Sequence, residues 1–183
     1  GGQRAEYIGR RLKYQTLGKK AREAFLADKI LGGHADVLCR LQEKEQNAMI
    51  QHMGSDGVTV ASLKDNVSRN VLRALKQVPF DINDGSLVKK AGPCTTCPKR
   101  TGATASLFGE DAKDDKCSDP KCFGDKLAAH FEAVAKKLEK AGSKVVFVGG
   151  YQSGTFIGRP RLGSHSWERS SKETGVKGVA IED

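Results

Sequence analysis

The sequence predicts a mainly α-helical protein with a small α+β part towards its C-terminal end. Three observations predict this. Apolar residues recur at helical spacing up to Pro79, and glycines punctuate the pattern. Four of the five cysteines stand in two close pairs between residues 94 and 122. One run of β-branched and aromatic residues, 145–148, follows a long helical pattern and predicts a strand.

The helical part begins with four short helices. The first covers residues 4–17 and the second residues 19–28, with Gly18 between them. A third helix is centred on residues 35–41, and a fourth covers 43–53. Within the third, Cys39 stands between apolar residues, which predicts a small buried side chain in place of a reactive thiol.

A fifth helix follows the N-cap residue Thr59 and presents Val60, Leu63 and Val67 on one face. The helical pattern continues over residues 69–77 and stops at Pro79. Residues 3–78 are therefore predicted to be helical throughout, as a compact bundle of short helices.

Turn residues after Pro79 and the Lys-Lys-Ala-Gly-Pro stretch at 89–93 indicate a boundary. We divide the chain into a helical domain 1–90, a cysteine module with a long helix 91–142, and a β-containing segment 143–183. The long helix covers 120–141, with Gly142 as its stop. Its apolar face is predicted to pack against the cysteine module or the 145–148 strand, and it consists of Leu127, Phe131, Val134 and Leu138. Further short strands are expected near 155–157 and 178–181.

The cysteine spacing is typical of a zinc site. Nineteen residues separate the pair Cys94 and Cys97 from the pair Cys117 and Cys122, so two tight turns can face each other around a tetrahedral ion. Two disulfides or four unrelated thiols are the alternatives, but the odd cysteine count and the lack of a secretion signal argue against disulfides. Four thiolates leave no open coordination position, so we expect one structural Zn²⁺ per chain.

The residues around the second pair favour the same interpretation. Asp119 is a good N-cap and Pro120 a good first helical residue, which places Cys122 in the first turn of the long helix. A cysteine turn followed by a ligand at a helix start is the arrangement of treble-clef zinc folds. None of the four histidines stands at ligand spacing from another, and His130 is the best reserve ligand.

Positive charge is concentrated near the start of the chain. The formal net charge is +9, and residues 1–31 hold eight Lys/Arg against three Asp/Glu, a net of +5. Such a cluster suits a phosphate backbone. On charge alone, an ordinary solvated helix face is an equal alternative.

Motifs for catalysis and for membrane insertion are missing from the sequence. There is no phosphate-binding glycine loop, no zinc-protease motif and no nucleophile elbow. No stretch has the roughly 18 apolar residues that a membrane span needs. The chain begins without Met, and we interpret it as part of a longer protein.

Two blocks of sequence resemble ParB/KorB-type partition proteins. The first is the central DNA-binding domain, matched at 7–12 (YIGRRL), 21–30 (AREAFLADKI) and 33–41 (GHADVLCRL). The second is a cysteine-bearing extension of plasmid and phage members, matched at 92–102 (GPCTTCPKRTG) and 117–123 (CSDPKCF).

This resemblance implies a helix-turn-helix whose recognition helix covers residues 3–17 and lies in the major groove. The residues implied at base edges are Gln3, Arg4, Glu6 and Tyr7. The residues implied at phosphates are Arg10, Arg11, Lys13, Lys19 and Lys20. The family's first motif helix and its N-terminal domain, which binds CTP and contacts a ParA-type ATPase, have no counterpart here. CTP hydrolysis and the ParA contact would therefore belong to a longer parent protein, and we expect no enzyme activity in this chain.

We expect a sequence-specific binder of double-stranded DNA, acting in partition or as a transcriptional repressor, in the cytoplasm at the nucleoid. A homodimer is one candidate assembly, and no membrane partner is expected. The alternatives are a zinc-stabilised protein-interaction module and the non-catalytic part of a ParB-like nuclease.

Overall fold

A computed structural model describes residues 8, 11–54, 57–104, 115–148, 154–162 and 178–182. The chain forms two compact units, residues 1–124 and 125–183. The three-part division drawn from the sequence stays a prediction. In the described ranges, no helix combines the length and the apolar character needed to cross a membrane.

The chain is mainly α-helical, as predicted. Ile8 and residues 11–14 are helical, while the other residues of the predicted first helix before position 11 lie outside the described ranges. The following helices of the first unit are α1 (Lys19–Leu26), α2 (Gly32–Leu38), α3 (Glu43–Met53) and α4 (Val60–Asn70).

The ends of α3 and α4 follow from local sequence. Gly54 ends α3 with a positive φ of 48°, which glycine adopts without steric cost. The hydroxyl of Thr59 accepts a hydrogen bond of 3.1 Å from the Ser62 N–H and so caps α4. Both ends lie where the sequence predicts them.

The core of the first unit lies between these helices. Ala21, Ala35, Leu38 and Leu63 are almost completely buried, and Cys39 is buried as predicted. Burying a leucine side chain contributes about 1.5–3 kcal/mol, so packing of the apolar faces accounts for most of the stability of such short helices.

One buried amide ties the turn before α1 to α3. The Gln46 side chain is fully buried. Its Oε1 accepts a hydrogen bond of 2.7 Å from the Gly18 N–H, and its Nε2 donates to the carbonyl oxygens of Thr16 (3.1 Å) and Leu41 (3.0 Å). The side chain therefore satisfies three backbone groups in two segments, the turn before α1 and the turn before α3.

The prediction of continuous helix over residues 69–77 is wrong. The helix α4 ends at Asn70, and the guanidinium of Arg73 donates to the carbonyl oxygens of Arg69 (3.2 Å) and Asn70 (3.0 Å) at its C-terminal end. The strand β1 (Arg73–Ala74) then pairs antiparallel with β2 (Lys116–Cys117). The sequence did not predict this strand because its backbone partners come from a segment that is distant in sequence.

The second unit holds most of α5 (Pro120–Lys140) and a four-stranded sheet. The strands are β3 (Lys144–Val148), β4 (Gly154–Phe156), β5 (Arg159–Leu162) and β6 (Gly178–Glu182), in the order β4-β5-β3-β6. The central strand β3 is parallel to β5 and β6, while β4 and β5 are antiparallel. The strand β5 was not predicted, since Pro160 interrupts its apolar pattern.

The helix α5 packs on β3 largely as predicted. Phe131 and Ala135 form a cluster with Val145 and Phe147, which Leu127 and Leu138 extend. Val134 is not part of this cluster and Ala135 takes its place, because positions 127, 131, 135 and 138 follow one narrow stripe of the helix.

Replacing Gln46 tests the hydrogen bonds that join α3 to the turn before α1. We expect Gln46→Ala to lower the free energy of unfolding by about 2–4 kcal/mol, because three backbone groups lose their buried partner. Gln51→Ala, at an exposed position of the same helix, is the control and should change it by less than about 0.5 kcal/mol. Equal losses in urea titrations of the two variants would contradict this role.

Candidate metal centre and nucleic-acid interface

The first cysteine pair lies in a tight turn of the first unit. Cys94 is buried and Cys97 half-buried. The Cys97 N–H donates to the Cys94 carbonyl oxygen at 3.1 Å, and the Cys94 N–H donates to the Ile82 carbonyl oxygen at 2.7 Å. Pro93 and Pro98 flank this turn, so its backbone is restricted on both sides.

The second pair is organised by Asp119. Its Oδ1 accepts a hydrogen bond of 2.9 Å from the Cys122 N–H, so Asp119 is the N-cap of α5, as predicted, and Cys122 lies in the first turn of this helix. The Asp119 N–H in turn donates to the Cys117 sulfur at 3.4 Å. One residue therefore contacts both cysteines of the pair.

Two ion pairs join the segments that carry the cysteines. Lys99, two residues after Cys97, contacts Asp119 with 2.6 Å between Nζ and Oδ2. Arg100 contacts Asp115 with 3.0 Å between Nε and Oδ1. The carbonyl oxygen of Lys99 also accepts hydrogen bonds from the Ser118 N–H (3.0 Å) and hydroxyl (2.9 Å). These contacts bring the four predicted ligands into one substructure.

The charges in this substructure stabilise one another. Burial alone would raise the pKa of Asp119, but the Cys122 N–H and the Lys99 ammonium together hold it below its usual value. The hydrogen bond with Asp119 raises the pKa of Lys99. Burial raises the pKa of the Cys117 thiol to about 11, and the nearby Cys122 and Cys97 act in the same direction. Without a bound cation, this sulfur stays protonated near neutral pH.

Among the described residues, no three His, Cys, Asp or Glu side chains are placed so that they could hold a metal ion. The four cysteines are thus neighbours that do not converge on one point. The reserve ligand His130 belongs to the second unit, where its ring lies against Phe131.

The residues predicted to contact DNA are only partly described. Gln3, Arg4, Glu6, Tyr7 and Arg10 lie outside the described ranges. Arg11 is exposed and Lys13 half-buried on the short helical stretch 11–14. Lys19 and Lys20 are exposed in the first turn of α1, the end of a helix that repels cations. Helix stability does not account for two lysines at this place.

A small pocket of about 180 Å³ adds two cations that the sequence did not single out. Lys13, Arg40 and Lys64 line it together with Asp36. The three cations come from the helical stretch 11–14, from the turn after α2 and from α4. Arg40 and Lys64 share no sequence motif with Lys13. Only the packing of α2 on α4 shows that the three residues line one pocket. Beside this pocket, burial raises the pKa of the Cys39 thiol to about 11.

Comparison of the chain with protein-family models, curated proteins and solved structures finds no significant match.

Two substitutions of Asp119 test its role as the N-cap of α5 separately from its ion pair with Lys99. We expect Asp119→Ala to lower the free energy of unfolding by about 1–2 kcal/mol, since Cys122 loses its N-cap acceptor. Asp119→Asn keeps an oxygen for this N–H and loses only the charge, so its cost should be below about 1 kcal/mol. Urea unfolding of both variants measures the difference, and a larger loss for Asn than for Ala would contradict the capping role.

Proposed function

We propose that the chain binds double-stranded DNA through its first unit, as a ParB/KorB-type partition protein or repressor that is stabilised by one zinc ion. The observation that carries the DNA part is the pocket lined by Lys13, Arg40 and Lys64. Such a role would place the protein in the cytoplasm at the nucleoid.

Three cations around one small polar pocket suit a backbone phosphate. Like charges repel, so an anion placed between the three side chains would favour their close packing. Asp36 is the one acidic residue that also lines the pocket. Phosphate contacts of this kind carry sequence-independent affinity and set the position of the protein on the duplex.

Arg11, Lys19 and Lys20 are further exposed cations of the first unit. Arg11 lies on the same helical stretch as Lys13, and the two lysines follow in α1. By the family resemblance, this stretch belongs to the helix that reads the major groove. Base recognition is accordingly proposed for Gln3, Arg4, Glu6 and Tyr7, and a further phosphate contact for Arg10.

The chemistry of the cysteines fits a structural zinc site at Cys94, Cys97, Cys117 and Cys122. The donors are four thiols in two turns, the Asp119 N–H supports the Cys117 sulfur, and Cys122 lies at the positive end of a helix. A bound Zn²⁺ would supply folding free energy and displace the thiol protons. The ion pairs of Lys99 and Arg100 hold the two turns near each other. Less rearrangement of the chain is then needed for four sulfurs to coordinate one ion.

Metal content tests the zinc site. Protein purified without chelator should contain one zinc per chain by elemental analysis, and Cys122→Ala should lose it together with the fold of residues 93–125. The loss of folding free energy for such sites is on the order of 10 kcal/mol. Cys39→Ala removes a buried cysteine outside the set and should keep the metal. Zinc-free wild-type protein, or equal metal loss in both variants, would contradict the site.

Salt-dependent DNA titrations test the phosphate pocket. Lys64→Ala should weaken binding to all duplexes alike and reduce the slope of log K against log salt by about 0.9, the value for one lost phosphate contact. Lys44→Ala removes an exposed lysine of α3 that does not line the pocket, and should leave the slope nearly unchanged. If wild-type protein fails to bind any duplex at low salt, the DNA proposal is overturned in favour of a protein-interaction module.

A further inference from the structure

The first unit contains an apolar cavity that the proposed DNA contacts do not use. Its volume is about 860 Å³, inside the range of about 300–1,000 Å³ in which proteins bind small molecules. It lies between the turn that follows α1, the C-terminal end of α3 and the segment that leads into α4. Leu31, Ile50, Met53 and Val58 supply much of its apolar wall.

Two uncharged polar side chains in the wall, His34 and Thr59, already have hydrogen-bond partners within the protein. The Nε2 of the buried His34 donates to the Val58 carbonyl oxygen at 2.8 Å, and its Nδ1 accepts from the Leu31 N–H at 3.0 Å. The hydroxyl oxygen of Thr59 caps α4. The imidazole needs no polar partner from a ligand, and most of the other described lining side chains are apolar, so the body of the ligand that fits here is apolar.

One wall residue is apolar and still faces water. The Leu31 side chain is 66% exposed beside the cavity. An occupant that covers it would release water from apolar surface, which favours binding.

The lining also contains a positive charge, which indicates that the ligand carries a negative group in addition to its apolar body. Lys29 is the one charged residue among the described lining residues, and its exposed ammonium makes no ion pair with the described part of the chain. An apolar cavity with this one cation among its described lining residues suits an apolar molecule that carries one negative group. We propose that this cavity binds a small amphiphilic carboxylate of the medium-chain fatty acid type.

Calorimetric titration of the full chain with octanoate, below the concentration at which it forms micelles, tests the proposal. We expect saturable binding of one octanoate per chain, and weaker binding of 1-octanol, which has the same chain length without the charge. Lys29→Met should raise the Kd for octanoate about two- to fivefold, the range of an exposed ion pair, and should leave the Kd for 1-octanol unchanged.

Two exposed leucines supply a matched pair of variants. Leu31→Glu places a carboxylate at the cavity and should abolish octanoate binding. Leu26→Glu makes the same change at a leucine that is 75% exposed in α1 and does not line the cavity, so it should bind like wild type. Both positions face water, so both variants should fold, which circular dichroism verifies. Absence of saturable binding to wild type, equal effects of the two glutamates, or an unchanged octanoate Kd in Lys29→Met would overturn the proposal.

Discussion

The buried carboxamide of Gln46 is the contact on which the arrangement of the first helices depends. It meets the Gly18 N–H and the carbonyl oxygens of Thr16 and Leu41, so it fixes where the chain leaves the stretch 11–14 and where α1 begins. No neighbouring apolar group could replace it, because buried backbone groups need hydrogen-bonding partners. Gln46 therefore helps to position Lys13, Lys19 and Lys20, the residues of the proposed phosphate contacts in this segment.

The cysteine segment is joined to the helical part of the first unit by backbone pairing. The strand β1 follows the end of α4 and pairs with β2, which contains Cys117, and the Leu75 N–H donates to the Asp115 carbonyl oxygen at 3.2 Å. Asp115 also holds Arg100. Metal binding at the cysteines would therefore also favour the pairing of β1 with β2, since β2 contains Cys117.

The sequence predicted those features whose causes are local. The bounds of α3, the Thr59 cap and the Asp119 cap all depend on residues within one helical turn, so short patterns suffice. The strand β1 was predicted as helix because its partner lies in the distant cysteine segment. Arg40 and Lys64 were overlooked for a similar reason, since they meet Lys13 only after α2 packs on α4. Zinc binding, the family and the base-reading residues stay predictions, because each concerns a partner or residues beyond those described.

The packing of α2 on α4 connects the basic pocket with the apolar cavity. Gly33 of α2 lies so close to Val60 of α4 that an added Cβ would stand 2.9 Å from a Val60 methyl carbon, and a side chain there would force the helices apart. Val60 lines both the pocket of Lys13, Arg40 and Lys64 and the cavity beside Leu31. A ligand that displaced Val60 would therefore alter the spacing of the cations. In that case, reciprocal linkage requires that an anion bound between the cations change the affinity of the cavity for its ligand by the same factor.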